Sequence, residues 1–238
     1  MHIIMLAGGY ATRLYPLTEH QPKHLLPINN KPMINYLVDD IKKLQMPIYL
    51  LTNNKFASHF EKWQQTYNYP VTIVNDHTMS NEDRLGALGD IAYALEQYDI
   101  DDDVMIIGAD NLSNINYQHM LNEYKQKPLI CVYDMECMDT VKHMGQVVVD
   151  KDMRVIDFQE KNPNPQSTLI STLVYILPKA SLSVLHQCIK EGKKDNAGLL
   201  IAQMLITYEV YAFKHTGYWF DIGTHQTYAQ AQAFMRNQ

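Results

Sequence analysis

The sequence predicts an α/β fold, a Rossmann-like mixed but mainly parallel sheet flanked by helices. Three observations carry this. Short apolar runs of strand length alternate with segments of helical periodicity through the first half of the chain. The first run, His2–Ala7, ends on Gly8-Gly9, as a buried parallel strand feeding a loop does. A later run, Val104–Ile107, ends on Gly108-Ala109-Asp110. Loop residues therefore follow the carboxyl ends of two strands, where open α/β sheets bind ligands.

After the first strand, Ile34, Leu37, Val38, Ile41 and Leu44 recur at helical spacing between Met33 and Leu44. Ile48–Thr52 reads as a second strand, Phe56–Tyr67 as a helix, Val71–Val74 as a third strand and Gly89–Leu95 as the start of another helix. The acidic run Asp99–Asp103 reads as a solvated loop before the Val104 strand. The second half is richer in strands: Leu129–Tyr133, Gln146–Val149, Val155–Gln159 and Leu169–Leu177, with Asp150-Lys151-Asp152 as a hairpin turn. Ser181–Lys190 and Gly198–Leu205 read as helices, Val210–Phe213 as a strand, Gly217–Gly223 as a loop and Thr227–Arg236 as a terminal helix. Asn162-Pro163-Asn164-Pro165 is too short for a domain linker. The expectation is one domain over 1–238, with halves 1–115 and 116–238 of different character.

Composition bounds the function. A chain of 238 residues, 46% hydrophobic, can bury one sizeable core. No apolar run approaches the roughly 20 residues that span a bilayer, and no basic segment precedes a long apolar one, so neither a membrane span nor a secretion signal is expected. A net charge of −6 argues against nucleic acid as the main partner. The three cysteines cannot all pair within the chain, and a cytoplasmic location is the simplest expectation.

Leu6-Ala7-Gly8-Gly9-Tyr10-Ala11-Thr12-Arg13-Leu14 carries the most information. Adjacent glycines let backbone N–H groups approach phosphate oxygens. Arg13 can add a forked charged contact, and Lys23 in Lys23-His24-Leu25-Leu26-Pro27 supplies a second cation. The loop is neither a Walker A motif nor a dinucleotide fingerprint. The string Gly8–Leu14, then Pro16-Leu17-Thr18, then Lys23–Pro27, resembles the signature of the sugar-phosphate nucleotidylyltransferases, among them the glucose-1-phosphate thymidylyl- and uridylyltransferases. The family pattern is Gly-Gly-x-Gly-Thr-Arg-Leu followed by Lys-x-Leu-Leu-Pro, and later motifs continue the resemblance over nearly the whole chain. It implies the nucleotide-diphospho-sugar transferase type of fold. It also implies that the Gly8-Gly9 loop wraps a triphosphate, that Arg13 holds its outer phosphates and that Lys23 approaches the α-phosphate. Ala11 stands where the family has Gly, which is tolerable if its φ is negative.

Magnesium in phosphoryl-transfer sites is held by one or two carboxylates, with water and substrate oxygens completing the shell. Asp110, and Asp221 in Trp219-Phe220-Asp221-Ile222-Gly223-Thr224, match the positions of the family's metal-binding aspartates. His20 and His24 lie four apart without a third ligand, which does not make a zinc site. His215 and His225 read as core or surface histidines. Leu85-Gly86-Ala87-Leu88-Gly89-Asp90 resembles the family segment Leu-Gly-Thr-Ala-Gly-Ala, which implies that Gly86, with the Leu6 and Ala7 backbone, meets the nucleobase. Gly145-Gln146-Val147 resembles the Gly-x-Val that lines the sugar, and Glu160-Lys161 the Glu-Lys pair that contacts its hydroxyls and phosphate. Departures at Asn162, Thr172 and Leu173 fall around the sugar.

The resemblance thus implies an enzyme that takes a nucleoside triphosphate, with dTTP or UTP favoured, and a sugar 1-phosphate, uses Mg²⁺, and releases pyrophosphate. The rivals are a cytidylyltransferase acting on a non-sugar phosphate such as phosphocholine, and a nucleotide-binding protein without turnover. Oligomeric state stays open.

Overall fold

The computed structural model describes all residues, 1–238. The strands of the first half are β1 (His2–Leu6), β2 (Pro27–Ile28), β3 (Lys31–Pro32), β4 (Ile48–Thr52), β5 (Thr72–Asn75), β6 (Val104–Gly108) and β7 (Asn111–Ser113). Its helices are α1 (Met33–Ile41), α2 (Ala57–Thr66) and α3 (Gly86–Gln97). The second half adds α4 (Tyr117–Glu123), β8 (Leu129–Asp134), α5 (Met138–Val141), β9 (Gly145–Val149), β10 (Val155–Glu160) and β11 (Leu169–Leu177). It ends with α6 (Ser183–Lys190), α7 (Ala197–Met204), β12 (Tyr211–His215), β13 (Trp219–Asp221) and α8 (His225–Arg236).

One nine-stranded sheet runs β10-β9-β11-β6-β1-β4-β5, with β8 joining at β11 and β12 beyond it. The first-half strands β6, β1, β4 and β5 pair in parallel. The long strand β11 lies antiparallel to both β6 and β8 and thereby fuses the two halves. The β9–β10 hairpin turns at Asp150, whose N–H donates to the Arg154 carbonyl.

The alternation of the apolar strands fixes the layers. Ile4, Val104 and Ile106 face a core shared with α3, α6 and α7. Ile3, Met5, Met105 and Ile107 face a second core closed by α1 and α2. Continuous apolar runs, rather than alternating ones, are what a sheet covered on both faces requires. A third, smaller cluster of Leu14, Leu26, Ile28, Met33, Leu112, Ile222 and Ala231 lies under α8. No helix is long and apolar enough to cross a membrane.

Two segments read as loops are built otherwise. Trp219–Asp221, within the expected loop 217–223, is a strand paired antiparallel with β7. The acidic run 99–103 is partly structural: Asp102 pairs with the N-terminal ammonium, and Asp103 accepts from the Lys179 N–H and the Tyr124 hydroxyl. A short β7 with only polar and single apolar residues carries too little pattern to be seen before its partner is known.

Candidate functional site

Four charged groups from distant parts of the chain meet beyond the carboxyl end of β6. Lys23 begins a 3₁₀ turn, Lys23–Leu25, packed beside α1. Its Nζ donates to Asp110 Oδ2 at 2.7 Å and to the Ile222 carbonyl at 3.1 Å. Asp110 follows β6, and its carbonyl accepts from the Ile222 N–H at 3.0 Å, which locks β13 against the β6–β7 turn. That pairing brings Asp221 alongside Asp110, and Arg13 reaches the same corner, its Nη2 facing Gly223.

The charges shape one another. Burial pushes the Asp110 carboxyl up, but the adjacent Lys23 charge and its hydrogen bond outweigh it and hold the group below the usual carboxylate range. Asp221 goes the other way: burial, then the Asp110 charge, raise it, and Lys23 and Arg13 offset this only in part. Two carboxylates this close, one of them resisting ionisation, suit a divalent cation whose shell is completed by phosphate oxygens. No cluster of three or more His, Cys, Asp or Glu that could hold a metal ion by itself is present. His24 is buried beside Lys23, and burial, then the Lys23 charge, depress its imidazole to about 3, so it stands as a neutral core ring.

Two clefts open on this corner. The first, about 310 Å³, is lined by Leu6, Gly8, Gly9, Gly86 and Asp110 among others. The second, about 240 Å³, is lined by Gly145, Thr172, Leu173, Trp219, Asp110 and Asp221 among others. Asp110 and Leu173 belong to both. A methyl group on Gly108 would lie 2.5 Å from Leu173 Cδ2, so that side chain forms the partition.

The expected residues fall as follows. Leu6, Gly8, Gly9 and Gly86 line the first cleft, and Ala7 is buried at its edge. Gly86 has φ 79, and a methyl group there would lie 2.6 Å from the Lys194 carbonyl oxygen, so the chain needs glycine at that place. Gly145 lines the second cleft, and Glu160 lies against it, its Oε1 also packed on Gly198 in the first turn of α7. Lys161 stands exposed just past β10 with φ 50, outside the lining of either cleft, its N–H bonded to the Met144 carbonyl. Ala11 has φ 50, so the negative φ on which its tolerance depended is not what the loop adopts. The family's Gly suits this left-handed position, and Ala11 carries a strained Cβ instead.

Asp76, Asp90 and Trp219 escaped the sequence reading. Trp219 Nε1 is buried without an acceptor on the wall of the second cleft. Asp90 was visible in principle, as an acid on the core face of a helix between Leu88 and Ile91 and in place of the family's Ala.

The Nucleotidyl transferase family profile matches residues 2–238. Among curated proteins, the chain is 27% identical to the bifunctional protein GlmU of Methanocaldococcus jannaschii over 94% of this chain and 51% of that one. It is 26% identical to the mannose-1-phosphate guanyltransferase of Debaryomyces hansenii over 92% of this chain and 60% of that one. The chain thus spans about half to three-fifths of the length of these relatives. Its fold matches the crystal structure of UDP-glucose pyrophosphorylase complexed with UDP-glucose with a TM-score of 0.83, at 17% identity, covering 100% of this chain and 99% of that one. The profile match covers nearly the whole chain and the fold agrees with it, and the chain belongs to the nucleotidyl transferase family.

Proposed function

We propose that this chain transfers a nucleoside monophosphate from a nucleoside triphosphate to a sugar 1-phosphate, giving a nucleoside-diphosphate sugar and pyrophosphate. The observation that carries the reading is the junction of two clefts at one cation-and-carboxylate corner, with Asp110 on the wall of both. One cleft is bounded by the glycine loop and the other by Gly145 and Trp219, as two substrates meeting end to end require.

The nucleoside triphosphate lies along Gly8-Gly9, its phosphates running toward Arg13 and Lys23. The sugar 1-phosphate lies in the second cleft, with Gly145 and Glu160 beside the sugar, and Lys161, exposed outside the cleft lining, swings toward its phosphate. A phosphate oxygen attacks the α-phosphorus in line, one P–O bond forms, and the bond to pyrophosphate breaks. The barrier is largely charge crowding and alignment, so fixed cations and positioning supply most of the catalysis. Lys23 is held by Asp110 and the Ile222 carbonyl and needs little reorganisation to meet the reacting phosphoryl group. Asp110 and Asp221 would hold Mg²⁺, which when bound neutralises phosphate charge. No general base is needed, because a phosphate monoester is already ionised near neutral pH.

The relatives' names include guanyl and adenylyl transfer as well as uridylyl chemistry, so the family by itself does not favour dTTP or UTP. The test is pyrophosphate release from a matrix of nucleoside triphosphates and sugar 1-phosphates with Mg²⁺. Asp110→Asn should reduce turnover at least a hundredfold while the fold survives, and turnover within a few-fold of wild type would remove Asp110 from the reaction.

A further inference from the structure

The first cleft contains two buried carboxyl groups that the proposed chemistry does not use. Asp76 follows β5 and Asp90 lies in α3. Each is 8% exposed, and both line the cleft. They converge behind the glycine loop: a methyl group on Gly8 would lie 2.9 Å from Asp90 Oδ2 and 3.8 Å from Asp76 Oδ2. The Thr78 N–H and hydroxyl donate to Asp76 Oδ1 at 2.7 and 2.8 Å, which sets that carboxylate's orientation and leaves Oδ2 facing Gly8. Asp90 Oδ1 is buried and has no hydrogen-bond partner.

No cation offsets this pair. Arg84, the cationic residue in the cleft lining, is engaged with Asp195 at 3.2 Å and Asn81 at 2.6 Å. Burial, then the charge of Asp76, push the Asp90 carboxyl up to about 7. Asp90 therefore resists ionisation below about pH 7, and above it the pair presents a net negative, acceptor-rich surface. A buried pair with an unmet oxygen weakens the fold. The similar family segment has Ala where Asp90 stands, so α3 can be built without the acid. A buried acid whose Oδ1 has no partner and whose neighbour is another acid, on the wall of a ligand cleft, points to a ligand that supplies donors.

We propose that the Asp76–Asp90 carboxyl pair reads the edge of the nucleobase and selects guanine. This rests on the nucleotidylyl-transfer reading of the cleft and adds the identity of the donor, GTP. Guanine presents N1–H and the N2 amino group side by side, two donors, one for each of the Oδ2 atoms of Asp76 and Asp90 that face Gly8. Uracil and thymine place carbonyl oxygens on both sides of a single N–H, and those oxygens would face like charge. Adenine and cytosine set a ring-nitrogen acceptor beside their one amino group, which leaves an oxygen of the ionised pair unmet; a protonated Asp90 would meet them, so the nucleotides are compared at pH 8, above its pKa of about 7.

Calorimetric titration of the full chain with GTP, UTP, dTTP, ATP and CTP in Mg²⁺ tests this, alongside pyrophosphate release with each. GTP is expected to bind at least tenfold more tightly than any other. Asp90→Ala and Asp90→Asn should each weaken GTP about ten- to a hundredfold and UTP less than threefold. Thermal unfolding of both variants separates a lost contact from a lost fold, and the wild-type ranking needs no variant at all. Tightest binding of another nucleotide, or an equal loss for all five in a folded variant, overturns the proposal. In that case pyrophosphate release with the preferred nucleotide leaves the reaction class standing. Tight GTP binding without release in any sugar-phosphate mixture would instead sink the reaction class and keep the base assignment.

Discussion

Ala11 shows how one methyl group reports on a loop. Its φ of 50 and ψ of 41 lie in the left-handed region, where a Cβ costs about 1–2 kcal/mol. Ala11→Gly removes that strain but adds freedom to the unfolded chain, worth about 0.4–1 kcal/mol the other way. The expected net is a gain of up to about 1 kcal/mol in urea unfolding. A clear loss would mean that residue 11 is not left-handed. Asp90 makes a second statement at this level. Its folded pKa, about 7, lies above its ordinary value of 3.8, so the folded state keeps a proton that the unfolded chain releases first. Stability from this group is complete below about pH 4, falls as pH rises between about 4 and 7, and stays lower above. Asp90→Asn removes that slope. Denaturation of both proteins at pH 4 and pH 8 should show a gain of a few kcal/mol in the variant at pH 8 that is absent at pH 4. Equal differences at both values would mean that Asp90 ionises normally in the fold.

The catalytic corner is held by element ends more than by any one side chain. The β7–β13 pairing delivers Asp221 to Asp110, and Thr224 caps α8 directly after it, accepting from the Thr227 N–H at 3.2 Å. On the other side, β11 changes register between Ser171 and Tyr175, with Leu173 at φ 57 in the irregular stretch. Asn111 Nδ2 bridges the Gly108 and Thr172 carbonyls at 3.1 and 3.0 Å and so ties this bulge to the end of β6. The bulge turns Leu173 into the wall between the clefts, which a regular strand would not do. Lys161 tests the far end of the second cleft. It is exposed at the end of β10, and its side chain has the freedom to swing onto a bound phosphate. Lys161→Ala should raise KM for the sugar phosphate about ten- to a hundredfold with KM for the nucleotide nearly unchanged. Steady-state kinetics with each substrate varied in turn decide this, and a loss confined to the nucleotide would withdraw Lys161, Glu160 and Gly145 from the sugar site together.

Across the molecule, the two large cores clamp the sheet, and the small cluster under α8 supports the corner. Ile222 is fully buried in that cluster, and its carbonyl accepts from Lys23. Packing and the proposed chemistry are therefore linked through one residue. Ile222→Val should cost about 0.5–1.5 kcal/mol in urea unfolding, as one methyl group lost from a packed core does. It should also lower kcat by several-fold with both KM values nearly unchanged, because a shifted carbonyl misplaces the lysine. An unaltered kcat in a destabilised variant would separate the cluster from the site.

Much of this protein is readable before any coordinates. The strands of the first half and helices α1, α2 and α8 follow from apolar period, Gly8-Gly9, Arg13 and Lys23 from one short stretch with its own chemistry, and Asp110 from its place after an apolar run. Those signals are local, so the order of residues is enough to carry them. The meeting of Lys23 with Asp110, 87 positions away, and of β13 with β7 depends on which strands pair, a long-range choice that no short window contains. The same holds for the left-handed backbone at Ala11 and Leu173, where tertiary packing overrides the preference of the residue. It holds most for Asp76 and Asp90. Each is an ordinary acid in its own segment, and only the approach of β5, α3 and Gly8 makes them a buried pair in which Asp90 resists ionisation, because desolvation and like-charge repulsion exist only once the chain has brought them together.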